Sequence, residues 1–407
     1  MTQLAALGTY LPPWTSAGSR VRGPDEDAVT MAVAAGRAAD PEATAQRVVF
    51  VTRDFPLLEG DNGAVLLAAL SLSADTPVAE VLGGGPAVIE QVLSAGPGTL
   101  VIAADDNAVS AGAVAALTGE QGASLLPVSR QTRSLPLLAR NDRGERRTYA
   151  DPRLQREVGV RATLARLDVT GRPSVVAVAG VKADVLRDAF DTETAVVDAS
   201  VSAASALRVL AAAADAGACG LVIAVEQATV SASALDTAGA TVRVARDEAT
   251  PRELPKSTVA QGVGIPISLP AYARAFEPKI RWEAAVFEPA PGIDDAPQFP
   301  PRARVDENGR LADRYRLEPL PRTGTVYTHS TVRIPVPDLP SPYSLAVVAL
   351  DESPVRVLMK VTGVPAGEAT IGQSGSVVLR KLAMRSGIPD YGYAFWPGRS
   401  IEQEVHA

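Results

Sequence analysis

Short, continuous apolar runs rich in β-branched residues stand at 47–52, 99–104, 174–179 and 220–225, each bounded by Gly, Pro or Asp. Runs of this kind predict strands covered on both faces of a sheet, because neither side carries a polar row for solvent. Between them the pattern is helical. Residues 26–39 open with acidic positions and continue through Val29, Met31 and Val33 among alanines, whereas 86–95 and 202–216 are apolar almost all round, the second nearly pure Ala, Leu and Val. A helix without a polar face is a buried one. Strands alternating with helices predict an α/β layer structure.

Two stretches of this pattern are nearly the same text: Leu100-Val-Ile-Ala-Ala-Asp-Asp-Asn-Ala-Val-Ser110 and Leu221-Val-Ile-Ala-Val-Glu-Gln-Ala-Thr-Val-Ser231. Each follows an apolar helical segment that closes on Ala-Gly, at Ala95-Gly96 and Ala216-Gly217, so the offset of 121 residues spans a helix, its end and the next strand. The first 260 or so residues therefore read as a duplicated unit. A duplicated α/β unit packs on itself and tends to place its site where the copies meet.

The pattern changes at 128–172, which holds eleven arginines from Arg130 to Arg172, few apolar clusters and the turn signal Asn141-Asp-Arg-Gly144. It reads either as a solvated loop pairing with Asp142, Glu145, Asp151 and Glu157, or as a surface that meets phosphates or a partner. After about 262 a run of prolines from Pro266 to Pro301 reads as a linker. Beyond it, β-rich runs at 324–333, 343–350, 355–361 and 375–382 alternate with turns and predict a small barrel.

Composition narrows the picture. The 407 residues suit two or three domains, and a net charge of −7 argues against a nucleic-acid partner, whose phosphates demand a basic face. A single cysteine, Cys219, excludes an intrachain disulfide or a cysteine zinc site, and two histidines, His329 and His406, leave little for a histidine site. Cys219 precedes a buried strand and reads as a small core residue; both histidines read as surface residues. No apolar run reaches membrane-spanning length and the start lacks signal-peptide character, so the expectation is a cytoplasmic protein without a membrane partner.

Gly8-Thr-Tyr-Leu-Pro12 followed by Gly23-Pro-Asp-Glu-Asp-Ala-Val-Thr-Met31 resembles the opening of HMG-CoA synthase-like members of the thiolase superfamily. Phe299-Pro-Pro-Arg302, Gly324-Thr-Val-Tyr327, Tyr343 to Asp351 and Gly372 resemble the zinc-ribbon and OB-fold accessory proteins that accompany thiolases in archaea and actinobacteria. The resemblances imply an α/β, five-layered duplicated thiolase-like fold with one buried helix from each half at its centre, followed by an all-β OB-fold barrel. The expected divisions are a thiolase-like domain at 1–262 with halves 1–127 and 173–262 around the Arg-rich 128–172, a linker and relic zinc-ribbon at 263–310, and an OB-fold domain at 311–407.

The family places a cysteine at the start of the first half's buried helix, where the positive helix end lowers the pKa of the acyl-accepting thiol. Here that place reads Glu80-Val-Leu-Gly83-Gly84-Gly85-Pro86. The resemblance also implies a glutamate where Arg53-Asp54 stands, with Arg53 the better register match. It implies a histidine where Ala179-Gly180-Val181 stands, and an asparagine where Asp198-Ala-Ser200-Val-Ser202 stands. No catalytic residue is therefore assigned. The relic zinc-ribbon has Gly292-Ile-Asp-Asp-Ala296 and Arg304-Val-Asp-Glu-Asn308 where its relatives have cysteine pairs, so zinc is not expected.

Gly83, Gly84 and Gly85 ahead of a helix read either as a tight turn with proline at the first helical position or as a cradle for an anion or a pantetheine chain. With Arg143, Arg146 and Arg147 they form the expected contacts to coenzyme A thioester or to a partner. The leading expectation is a non-catalytic synthase-like/OB-fold subunit that binds an active thiolase or thiolase-like aldolase as a hetero-oligomer, with a homodimer as the other assembly. One alternative is a cysteine-independent acyl-CoA lyase or acyltransferase using Asp54, Glu80, Asp105, Asp198 or Glu226, although single acids at strand ends are usually caps. The other is a stand-alone acyl-CoA binding protein.

Overall fold

The computed structural model describes all residues except 58–61, 108–109, 133–137, 142–144, 150, 263–276, 336, 386 and 401–407. The first half runs β1 (Thr2–Leu11), α1 (Ala28–Ala39), β2 (Arg47–Thr52), α2 (Asn62–Leu70), β3 (Val78–Leu82), α3 (Gly85–Leu93), β4 (Thr99–Asn107) and β5 (Ser110–Gly119). The second runs β6 (Ala123–Gln131), α4 (Pro152–Val158), α5 (Val160–Leu164), β7 (Val175–Ala179), β8 (Val196–Asp198), α6 (Ala203–Asp215), β9 (Gly220–Glu226) and β10 (Thr229–Asp236). Strand order is β3-β2-β4-β5-β1 in one and β8-β7-β9-β10-β6 in the other. Numbered within its own half, each sheet is third-second-fourth-fifth-first, and in each the fifth strand runs antiparallel to both neighbours. The duplication seen in the text is thus a duplication of topology.

The halves join where Thr2–Leu4 of β1 pairs with Ala123–Leu125 of β6, and β11 (Arg243–Glu248) lies parallel to the rest of β1. Alternation along the strands sorts the layers. In β2, Val49 and Val51 face inward onto α3 and α6, while Val48 and Phe50 face outward onto α1 and α2. Val175, Val178, Leu221 and Ile223 of the second sheet turn outward toward Leu164 of α5. The result is five layers with α3 and α6 in the middle. Small residues make that middle thin: a methyl added to Gly85 would already touch the Ala206 methyl at 3.4 Å, and close packing leaves no slack for larger ones.

The barrel closes in the order β14 (Thr323–Val332), β15 (Tyr343–Leu350), β16 (Arg356–Val361), β18 (Ile388–Pro397) and β17 (Ser374–Arg385), the five-stranded closure of an OB-fold. Ahead of it, β12 (Glu283–Phe287) pairs with β13 (Tyr315–Pro319). The chain is a duplicated five-layered α/β unit carrying a closed five-stranded barrel. Among the described residues no helix is long and apolar enough to cross a membrane.

Three elements of the structure bear on the expected divisions. The second half begins at β6, so the arginine-rich segment read as starting at 128 begins inside a strand of that half, whose mixed pattern of buried and exposed positions hid it. The segment read as a linker at 263–310 holds fully buried Ile280 and Ala284, and Trp282 at 2 % exposure in the core that α1 and the barrel share; its prolines drew attention from these few large side chains. Barrel closure starts at Thr323, after 311, and ends on β18, whose aromatic and glycine-bearing sequence gave no strand signal.

Candidate functional site

The two buried helices start at the carboxyl ends of the two sheets, where the duplicated halves meet. Gly84 is the N-cap of α3, Pro86 sits in its first turn, and no side chain caps it. Ser202 is the N-cap of α6 and accepts a hydrogen bond from the Ala204 amide at 3.2 Å. Facing them are Asp105 at the end of β4 and Glu226 at the end of β9, positions that the 121-residue repeat makes equivalent. Each carboxylate reaches across to the helix of the other half.

Asp105, 4 % exposed, accepts from the Ala203 amide in the first turn of α6, from the Arg53 amide at 3.0 Å and from Thr52 Oγ1 at 3.3 Å. Burial pushes its carboxyl above the ordinary aspartate value, and the Ala203 and Arg53 amides pull it back toward ionisation. Glu226 lies against Gly84: a Cβ built there would stand 2.4 Å from Glu226 Oε2. Arg53 holds it in place. Its Nε donates to Glu226 Oε1 at 2.7 Å and its Nη1 to the Val201 carbonyl at 2.9 Å. Both helix starts, each with a partial positive charge, face a carboxylate of the chain itself.

This arrangement has a chemical consequence. The backbone at Gly84 has φ −107°, open to any L-residue, so geometry of the chain does not demand glycine there. The Glu226 carboxylate, tied to Arg53, occupies the place a side chain at 84 would take and would have to shift to admit one. The expected triglycine cradle has the same reading: Gly83 donates to the Thr52 carbonyl at 3.0 Å, Gly85 packs on Ala206, and the approach to Gly84 is filled.

Two of the other acids considered from the sequence, Glu80 and Asp198, act as local anchors. Glu80 accepts from Asn62 Nδ2 at 2.7 Å and from the Gly63 amide at 3.0 Å, at the start of α2. Asp198 accepts from the Ser200 amide at 3.0 Å and pairs with Arg208 of α6. Asp54 lies in the turn after β2, where its amide donates to Thr52 Oγ1 at 3.3 Å. Gly180, where the family pattern has a histidine nearby, donates to the Asp198 carbonyl at 2.8 Å.

Of the arginines, Arg147 is exposed in the short strand Arg146–Thr148 and lies 3.5 Å from Glu145. Arg143 lies outside the described residues, as does His406. His329 is on β14. Cys219, read as a core residue, is exposed: it sits in the loop ahead of β9, where its Sγ accepts from the Thr237 amide at 3.4 Å, and the buried part of the strand begins only at Leu221.

Sequence reading missed the seam between the α/β unit and the barrel. Arg380 of β17, 1 % exposed, donates through Nη2 to Tyr10 Oη at 2.9 Å and lies 3.3 Å from Glu26 Oε1. Tyr10 itself donates to Glu26, whose other oxygen accepts from the Gly23 amide at 2.6 Å. Nearby, Tyr391 of β18 donates at 2.9 Å to Asp27, the residue that caps α1. Burial pushes the Glu26 and Asp27 carboxyls up, while the Arg380 guanidinium pulls Glu26 back down. Nothing in the local pattern marks a partnership across 370 residues; the only available signal was the family opening that contains Glu26 and Asp27.

Residues 317–380 match the model of the ChsH2 C-terminal OB-fold domain. No curated protein matches the sequence. Among solved structures, 3-oxoacyl-(acyl carrier protein) synthase III, FabH, from Pseudomonas aeruginosa PAO1 is 15 % identical, covering 62 % of this chain and 99 % of that one, with a TM-score of 0.43. PksG, an HMG-CoA synthase from Bacillus subtilis, is 13 % identical over 58 % and 80 % of the two chains, with a TM-score of 0.46. A chain from the Ltp2-ChsH2(DUF35) aldolase is 22 % identical over 31 % and 94 %, with a TM-score of 0.25.

Proposed function

We propose that this chain is a non-catalytic subunit that binds an active thiolase-superfamily protein and supports its work on an acyl-CoA. The observation that carries this reading is the Glu226 carboxylate packed on Gly84 and held by Arg53: it stands where an acyl-accepting thiol would have to stand. A carboxylate locked to a guanidinium and aimed at a helix start stabilises the fold; nearby, Asp105 and Glu80 are held by backbone and side-chain amides and Asp198 by Arg208. The likeness of residues 317–380 to the OB-fold domain of ChsH2 supports a partnership, since such a domain is joined here to a unit without the family's nucleophile. The partner would be a hetero-oligomeric one, with the arginine-rich segment around Arg143, Arg146 and Arg147 as a contact surface for it or for coenzyme A phosphates.

Coexpression with any thiolase-superfamily protein found to be encoded beside this chain tests the proposal. The expected result is a complex that survives size exclusion and turns over an acyl-CoA, while the isolated chain turns over none. Turnover by the isolated chain, or a chain that elutes alone beside its neighbour, would overturn it.

A further inference from the structure

Between the α/β unit and the barrel lies a cleft of 320 Å³, in the size range of small-molecule sites. Trp14, Val259 and two prolines, Pro340 and Pro342, meet Tyr343, Leu382 and Met384 on its walls, so most of the lining is apolar. Three lysines, Lys256, Lys360 and Lys381, also line it, against the two carboxylates Asp25 and Asp338. Among the described residues none of the three lysines has an acidic partner within ion-pair distance, whereas Asp25 lies 4.0 Å from Arg380. The cleft therefore holds a surplus of positive charge on an apolar floor.

Lys360 is the focus of that surplus. Its Nζ donates to the Leu382 carbonyl at 2.9 Å and stands 5.2 Å from the Tyr343 ring centroid. An ammonium has three donors, and the carbonyl takes one of them. A cation in partly dry surroundings, with only the Asp25 carboxylate attracting it from beyond ion-pair distance, favours an added anion; burial holds the Lys360 ammonium below the usual lysine range. Two features separate the kinds of anion. Lysine binds phosphate too, but usually together with backbone nests or guanidinium forks; here a single amine contact stands beside apolar walls, which suits one carboxylate with an apolar body.

We infer that this cleft is a binding site for a small monocarboxylate with an apolar body, its carboxylate on Lys360 and its hydrocarbon against Trp14, Leu382 and Met384. The site lies apart from the helix starts at Gly84 and Ser202, and the inference does not depend on the proposed partner. The full chain, titrated calorimetrically with octanoate, 1-octanol and inorganic phosphate, tests it. Octanoate should bind with one-to-one stoichiometry, 1-octanol at least ten-fold more weakly, and phosphate more weakly still. Lys360→Met should cost ten-fold or more in octanoate affinity and leave 1-octanol unchanged, while Lys360→Arg should keep most of it. Equal binding of octanol and octanoate, phosphate binding as tight as octanoate, or an unchanged affinity in Lys360→Met would each overturn the inference. The acid-to-alcohol comparison uses the unaltered chain, so it decides the matter even if a variant fails to fold.

Discussion

The centre of the α/β unit and its seam with the barrel both hold charged groups away from water, and they use them differently. At the centre, Arg53 and Glu226 remain 16 % and 19 % exposed, and the acids there meet helix starts and backbone amides. At the seam, Arg380 and Glu26 are each 1 % exposed and depend on one another and on Tyr10. Charge that caps a helix has many substitute partners, including water; charge sealed between two domains has no water to replace a lost partner. The difference teaches where the chain is committed. Its centre tolerates change in proportion to what is capped, whereas its seam fixes the barrel on the unit.

The largest expected effect is therefore at the seam. Arg380→Met leaves Glu26 buried without its counterion and should lower stability by about 3–5 kcal/mol, measured by urea unfolding at pH 7.5. The pH dependence has a definite sign. Burial already raises the Glu26 carboxyl above its ordinary value of 4.5, and removing Arg380 raises it further. A group with a raised folded-state pKa binds protons more tightly in the fold, so its contribution is fullest below the unfolded value and is lost as pH rises through the folded one. The variant's deficit should thus shrink as pH falls from 7.5 toward 4.5. A deficit that is small at every pH would put the seam on the same footing as the centre.

At the centre, Gly84→Cys places a side chain against the Glu226 carboxylate and should cost about 1–3 kcal/mol through overpacking. Glu226→Ala in the same chain should restore much of that loss by making room. In a Cys219→Ser background, the thiol of the double variant should also alkylate with iodoacetamide faster than an exposed cysteine, because the start of α3 favours the thiolate. On the proposed non-catalytic reading, the double variant should show no acyl-CoA turnover. A single Gly84→Cys chain as stable as its parent would show that Glu226 swings freely.

These contrasts were legible to different degrees. The repeat at Leu100 and Leu221 gave the duplicated layers, because an apolar strand and its helix end leave a strong local signal. It also contained the crossed carboxylates, since Asp105 and Glu226 are 121 residues apart, but the sequence could name them only as acids at strand ends. Which helix each acid meets is decided by how the sheets stack. The Glu226–Arg53 pair spans 173 residues and the Arg380–Tyr10 contact 370, distances at which one sequence carries no pairing information. The edge strands β3 and β8 and the half-exposed β6 escaped for a simpler reason: partial exposure dilutes the apolar runs on which strand prediction rests.

The repeat-related acids give a finer comparison within the centre. Asp105→Ala removes the acceptor of both the Ala203 and the Arg53 amides and should cost about 1–2 kcal/mol, in the range of a lost helix cap. Glu226→Ala alone should cost less, because Arg53 keeps its bond to the Val201 carbonyl and gains water. Thermal unfolding of the two single variants compares them directly. Equal losses would mean that the side chain of Arg53, and not the helix start, sets the energetics on both sides.

The smallest effect on stability belongs to the arginine-rich segment. Arg147 and Glu145 are 75 % and 58 % exposed, and an ion pair that open to water contributes less than about 1 kcal/mol. Arg147→Ala should therefore leave the unfolding midpoint almost where it is. If the segment contacts a partner, the same substitution should weaken the complex, and the loss should fade as salt is raised because exposed charges are screened beyond a Debye length of about 8–10 Å. Affinity measured at two salt concentrations separates the outcomes. An unchanged affinity at both would take Arg147 out of the interface and leave the barrel and the exposed Val196–Asp198 edge of the second sheet to carry the contact, since a surface charge that alters neither stability nor binding is simply solvated.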